Sequence, residues 1–248
     1  MHPGLARLKP HDVTLTPELW QAAAALAGLR VAVNDPVRQR NRDSGPRGNV
    51  LNDLIGAIAE LVALRVLHDA GATGLTHSLI DLHSSVDELD FQGELGASKF
   101  RLEVKGHFHD PVKRYFLINE KAQVNSRRRN AHGHLPIVTQ RLHSAARVGR
   151  MIWIHEVEQP PWQPARPFGH DRYDPAFPLP LRDLATIYLG GDLLAQGSRH
   201  LSTTDRDLLV AARRARQSLP SLRASGLTLD NMPITEIVHA LNQVVRSG

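Results

Sequence analysis

The segment from Asn52 to Ala70 constrains this chain more than any other. Leu54, Ile55, Ile58, Leu61, Val62, Leu64 and Leu67 recur at helical spacing and form a broad apolar surface, and Gly71 follows as a natural stop. A helix this apolar needs an equally apolar partner. The sequence offers one downstream, where the pattern changes from a period of 3.6 towards a period of 2. Strands are expected over Val86 to Phe91, Phe100 to Lys105, Tyr115 to Asn119, Ile137 to Thr139, Met151 to Val157 and Ala185 to Leu189, with Phe100 to Lys105 the strongest. The expectation is a mixed α/β core in which a helix precedes the sheet it covers. Glu60 is conspicuous in that helix, because a carboxylate among apolar residues is costly without a cation or hydrogen-bond partner.

Around this core the chain carries helical additions. Thr16-Pro17-Glu18 combines a hydroxyl at the N-cap, proline at the first helical position and an acid in the first turn, and predicts a helix from Pro17 to about Arg30. Asp35 to Asn49 contains Arg38, Arg40, Arg42 and Arg47 among prolines and glycines and reads as a basic loop. A loop is expected again at Gly71 to Gly74. Asn119 to Ser126 opens a helix that ends in Arg127, Arg128 and Arg129. Gln159 to Pro180 is too rich in proline for a helix or a central strand, yet its aromatic residues call for an ordered excursion packed on something. Two further helices are expected over Thr204 to Leu219 and Pro233 to Val245. The organisation is therefore an N-terminal helix and basic loop over 1–50, a core over 51–158, and a proline-rich excursion with a last strand and C-terminal helices over 159–248.

Composition narrows the chemistry. The absence of cysteine removes disulfides, thiolate nucleophiles and cysteine-based zinc sites, so a metal would have to sit on carboxylates, carbonyls or imidazoles. A formal charge of +5 favours contact with a polyanion such as nucleic acid. No apolar run approaches the ~20 residues a membrane span needs, and the first residues lack the pattern of a secretory signal. A cytoplasmic protein with no membrane partner is expected.

The chemistry concentrates in Phe100-Arg101-Leu102-Glu103-Val104-Lys105. Strand alternation puts Phe100, Leu102 and Val104 on one face and Arg101, Glu103 and Lys105 on the other, so Glu103 and Lys105 are neighbours. Asp90 lies between Leu89 and Phe91, with Gly93 and Gly96 before Glu103 to turn the chain, and a hairpin would bring Asp90 beside Glu103. Asp87 competes for the same role. Two carboxylates with waters suit Mg²⁺, which takes oxygen ligands and keeps part of its hydration. Glu60 could complete the cluster.

The array of helical Glu60, then Asp90, then Glu103-Val104-Lys105 resembles the PD-(D/E)xK phosphodiesterase superfamily, the restriction-endonuclease-like nucleases, over roughly residues 50–140. The family's first acid often follows proline, whereas Asp90 follows Leu89. The resemblance implies a restriction-endonuclease-like core with a mixed central β-sheet flanked by helices. It also implies Mg²⁺ dependence, with Mn²⁺ as a substitute, and hydrolysis of nucleic-acid phosphodiester bonds, DNA being the expected substrate. By the same resemblance Asp90, Glu103 and Glu60 would be metal ligands and Lys105 the catalytic lysine. Gln123 and Ser126 in the segment after the lysine would face the site or the substrate, and the run Arg127 to Arg129 suits a phosphate backbone. Restriction, phage defence and repair all use such enzymes, as homodimers or as subunits of larger complexes.

Competing patterns point elsewhere. His107 and His109 share a strand face and Asp110 follows, a set that could bind zinc or iron, and His132-Gly133-His134 invites the same thought; a groove-lining or surface role is the simpler reading of both. The chain lacks a Gly-x-Ser-x-Gly elbow and a glycine-lysine phosphate-binding loop. The alternative from another class is a nuclease-like nucleic-acid-binding or assembly subunit with weak catalysis.

Overall fold

The computed structural model describes residues 2–38, 45–77, 79, 89–108, 115–157, 176–180, 199–227, 229 and 232–247. The expected strand at Ala185 to Leu189, Asp87, His109 and most of the proline-rich excursion lie outside the described residues.

Helix α1, Pro17–Arg38, starts where the sequence says it should, with the Thr16 hydroxyl accepting from the Leu19 N–H at 3.3 Å. It continues beyond Arg30, through Pro36, and the next helix, α2, Gly45–Asp69, begins before the expected position. The basic loop expected over Asp35 to Asn49 is thus corrected at both ends. The physical reason is that proline in a first helical turn removes an N–H that has no partner anyway, so Gly45-Pro46 opens a helix rather than breaking one. Ala22 to Ala27 in α1 are fully buried, and these small side chains let a later helix, α5 (Asp205–Ser225), approach at Gly28, where a Cβ would run into the Ala212 carbonyl. α5 begins at a capping box between Thr204 and Asp207, and α6, Ile234–Ser247, packs beside it and against α1.

The central sheet is mixed. Its strands are β1 (His11–Thr14), β2 (Thr73–His77), β3 (Phe91–Leu95), β4 (Ser98–Phe108), β6 (Gly133–Thr139), β7 (Ala145–Val148) and β8 (Ile152–Trp153). The spatial order is β1-β7-β6-β4-β3-β2, with β8 also on β6; β4 and β6 run parallel and the other pairs antiparallel. β3 and β4 are joined by a two-residue turn in which Gly96 and Ala97 both take positive φ, the backbone of a tight hairpin. Two further strands, β5 (Tyr115–Asn119) and β9 (Ala176–Pro180), form a separate antiparallel pair, where Pro178 and Pro180 do not interrupt a central ladder. Helix α3, Glu120–Arg128, follows β5 directly, capped by the Asn119 side chain. The strand expected over Met151 to Val157 ends after Trp153. There the Glu156 carboxylate reaches back to the Trp153 N–H at 3.3 Å and starts the short helix α4, Ile154–Val157.

The sheet is covered on both faces. Phe100, Leu102, Val104, Leu135 and Ile137 join α1, α2, α5 and α6 in the main core, while Val138 and Ile152 meet Phe116, Ile118, Val157 and Phe177 in a smaller one. The alternation expected in β4 therefore holds: its apolar residues face α2, and Glu103, Lys105 and His107 face the side of β5 and α3. Gly106 continues the apolar face. A Cβ there would run into the Ile55 carbonyl and lie 3.0 Å from the Ala59 Cβ, so glycine permits α2 to rest directly on β4. That contact brings Glu60, the neighbour of Ala59, to the strand.

Candidate functional site

β4 is paired on both edges only at Leu102. The β3 register ends at Phe91 opposite Leu102, whereas β6 accompanies β4 to Phe108. Among the described residues no strand replaces β3 beside Glu103 to Phe108, which leaves a notch in that edge of the sheet. Asp90 stands one residue before β3 and closes the edge with a side chain in place of a strand: its Oδ2 accepts from the Val104 N–H at 2.6 Å. The expected hairpin and the expected meeting of Asp90 with the Glu103–Lys105 segment are both present.

Glu103 and Lys105 project from β4 at this notch, with Lys105 Nζ 3.1 Å from Glu103 Oε2. From the helical side comes Glu60, and with it a residue the sequence reading passed over. Arg30, near the middle of α1, donates from Nη1 and Nη2 to the two Glu60 oxygens, the first at 3.0 Å, and from Nε to the Leu79 carbonyl at 2.8 Å. Gly56, one turn before Glu60, lies beside the pair: a Cβ there would stand in ordinary contact, 3.7 Å from Arg30 Nη1 and 3.9 Å from Glu60 Oε1. Sequence alone offered little signal for Arg30, since a cation at the end of an alanine-rich helix is ordinarily solvated.

Charges from both faces act on one another here. Burial, reinforced by Asp90, pushes the Glu60 carboxyl up to about 7 against the pull of Arg30. Glu103 is raised as well, by burial and by Asp90, against Lys105. Burial works to lower Lys105, but Asp90, Glu103 and Glu60 outweigh it and hold the ammonium above its ordinary range. The Arg30 guanidinium is likewise strengthened against desolvation by Glu60, Asp90 and Asp53. Asp90 thus influences every other charged group of the cluster.

The remaining predicted residues divide. Arg127 and Arg128 are exposed at the end of α3, and Arg129 is half-buried, near enough to Glu103 to act on its charge. Gln123 and Ser126 were expected to face the site or the substrate, and this is corrected: both are buried on the inner side of α3, each 1% exposed. Ser126 Oγ donates to the Ala122 carbonyl at 2.8 Å. Gln123 Nε2 donates to the Ile154 carbonyl at 2.8 Å, and its Oε1 meets His134 Nε2 at 2.8 Å. His134 is level with Glu103 on the adjacent strand, and burial followed by Lys105 lowers its pKa to about 3, so it stays neutral. Gln123 therefore braces the layer behind Glu103. His107 lies against the Phe116 ring, and among the described residues no three His, Asp or Glu side chains form an all-protein metal cage.

Compared with family models, curated proteins and solved structures, the chain matches none. No helix of the described residues is long and apolar enough to cross a membrane.

Proposed function

We propose that this chain is a metal-dependent nuclease with a restriction-endonuclease-like core, hydrolysing phosphodiester bonds of nucleic acid, DNA foremost. One observation carries the reading: Asp90, Glu103 and Lys105, from one strand and the loop end before its hairpin partner, meet at a strand edge that no described strand pairs. A structural ion pair alone would not require a second carboxylate beside the first, because the like charges oppose each other.

The residues suit a hard divalent cation. Mg²⁺ is commonly held by one or two carboxylates, with waters and substrate phosphate completing the shell, so two acids suffice where zinc would want a closed cage. Asp90 commits Oδ2 to Val104 and retains Oδ1, and Glu103 provides the second carboxylate. Mg²⁺ or Mn²⁺ bound there supplies Lewis-acid polarisation of the phosphoryl oxygen and an acidified water.

The chain's own groups do the rest. Lys105 remains an ammonium at neutral pH, so its task is to donate a hydrogen bond and a positive charge to the attacking water or to the charge growing on the phosphate, not to remove a proton. Asp90, fixed by the Val104 N–H, holds its place without a strand partner. Arg127 and Arg128, exposed on α3, suit contact with flanking phosphates.

The test is incubation with supercoiled plasmid, linear duplex and single-stranded DNA in Mg²⁺, Mn²⁺ or EDTA. Cutting that requires the metal supports the proposal. Binding without cutting in any metal would favour a nucleic-acid-binding subunit instead.

A further inference from the structure

We infer that the Arg30–Glu60 pair restricts this site to a single divalent cation, held through Asp90 and Glu103, with the Arg30 guanidinium standing as the fixed second positive charge. The inference rests on the nuclease reading and deepens it. It departs from the resemblance, which assigns Glu60 to the metal.

The geometry favours the pair over a metal ligand. Both Glu60 oxygens are engaged by Arg30, and the third donor edge of the guanidinium is anchored on the Leu79 carbonyl at 2.8 Å. The two side chains are only 13% and 11% exposed. Turning Glu60 towards a metal would strand a buried guanidinium, and breaking such a pair typically costs more than an added carboxylate ligand returns. Arg30 cannot shed its charge to escape the penalty. Its fork also matches a carboxylate in a way that a hydrated ion does not.

Charge balance leads to the same end. Asp90, Glu103 and Glu60 are opposed by Lys105 and Arg30, which leaves one net negative charge before any ion arrives. One divalent ion reverses that sign and prepares the notch for a phosphate. A second would have to enter a positive site with its only spare carboxylate already claimed. Arg30 and Glu60 therefore stand outside the metal's shell, bound to each other, and do not touch the reacting atoms.

Titration of the full chain with Mn²⁺ at about pH 8, followed by calorimetry and by the electron paramagnetic resonance of free Mn²⁺, tests this without reference to activity. The wild type should bind one ion per chain. The charge-neutral double variant Arg30→Gln/Glu60→Gln should also bind one, with Kd within about threefold, whereas Glu103→Gln should weaken binding by about tenfold or more. Two ions in the wild type, or a double variant as impaired as Glu103→Gln, would overturn the inference and leave the nuclease reading standing. A wild type that binds no Mn²⁺ would overturn both. The wild-type stoichiometry decides even where the double variant fails to fold.

Discussion

Replacing Arg30 with Met keeps much of the aliphatic stem and removes three donated hydrogen bonds, two to Glu60 and one to Leu79. The cost depends on the state of Glu60. At about pH 5 its carboxyl is protonated in the folded protein, and the loss is that of hydrogen bonds and packing, about 1–2 kcal/mol. At about pH 8 the missing cation adds at most about 1.4 kcal/mol for the one pH unit above the wild-type value, and the total rises to about 2.5–3.5 kcal/mol, a large share of a domain's stability. The sign follows from linkage. A carboxyl raised from 4.5 to about 7 contributes stability that is full below 4.5 and lost as pH rises through about 7. Removing Arg30 moves the folded value higher still, so wild type and variant diverge as pH rises, by at most about 1.4 kcal/mol per pH unit. Urea unfolding of both proteins at about pH 5, 6, 7 and 8 measures the gap. A gap independent of pH, or below about 1 kcal/mol at the alkaline end, would refute the reasoning.

Asp90→Asn retains an acceptor for the Val104 N–H, so the melting behaviour should change by less than about 1 kcal/mol while metal-dependent cleavage falls by about 10²-fold or more. Arg127→Ala/Arg128→Ala should lower the salt dependence of DNA binding by about two in the slope of log K against log salt, read by fluorescence anisotropy. An unchanged slope would make these arginines a solvated helix end. Gly106→Ala forces α2 off β4 and should destabilise the protein by about 1–3 kcal/mol in urea, with a further loss of activity because Glu60 moves with the helix and is drawn from Arg30 on α1.

The sequence made α2, α5, α6, β4 and β5 legible because each carries a strong local signal: an apolar stripe, a capping motif or clean alternation. β1, β2 and β7 were missed. β1 and β2 bury one residue each, β7 has only four residues in which to show its alternation, and the β1–β7 pairing joins segments far apart along the chain. Pro36 and Pro46 misled in the opposite direction, since their effect depends on position within a helix rather than on presence. At the site, Asp90, Glu103 and Lys105 could be placed together because one hairpin joins them, and the spacing of a hairpin is a local property. Arg30 could not, because its meeting with Glu60 depends on how two helices cross. Gln123 was expected to face the site or the substrate, whereas its amide satisfies a buried histidine and a carbonyl.

The central claim is that Lys105 and its two carboxylates form a phosphodiester-cleaving site, and the most direct measurement is the initial rate of supercoiled-plasmid nicking by wild type and Lys105→Ala in Mg²⁺. The account predicts cleavage by the wild type that EDTA abolishes, and a rate lower by about 10²-fold or more in a Lys105→Ala protein that still folds. Metal-dependent cutting that survives the substitution undiminished would contradict it.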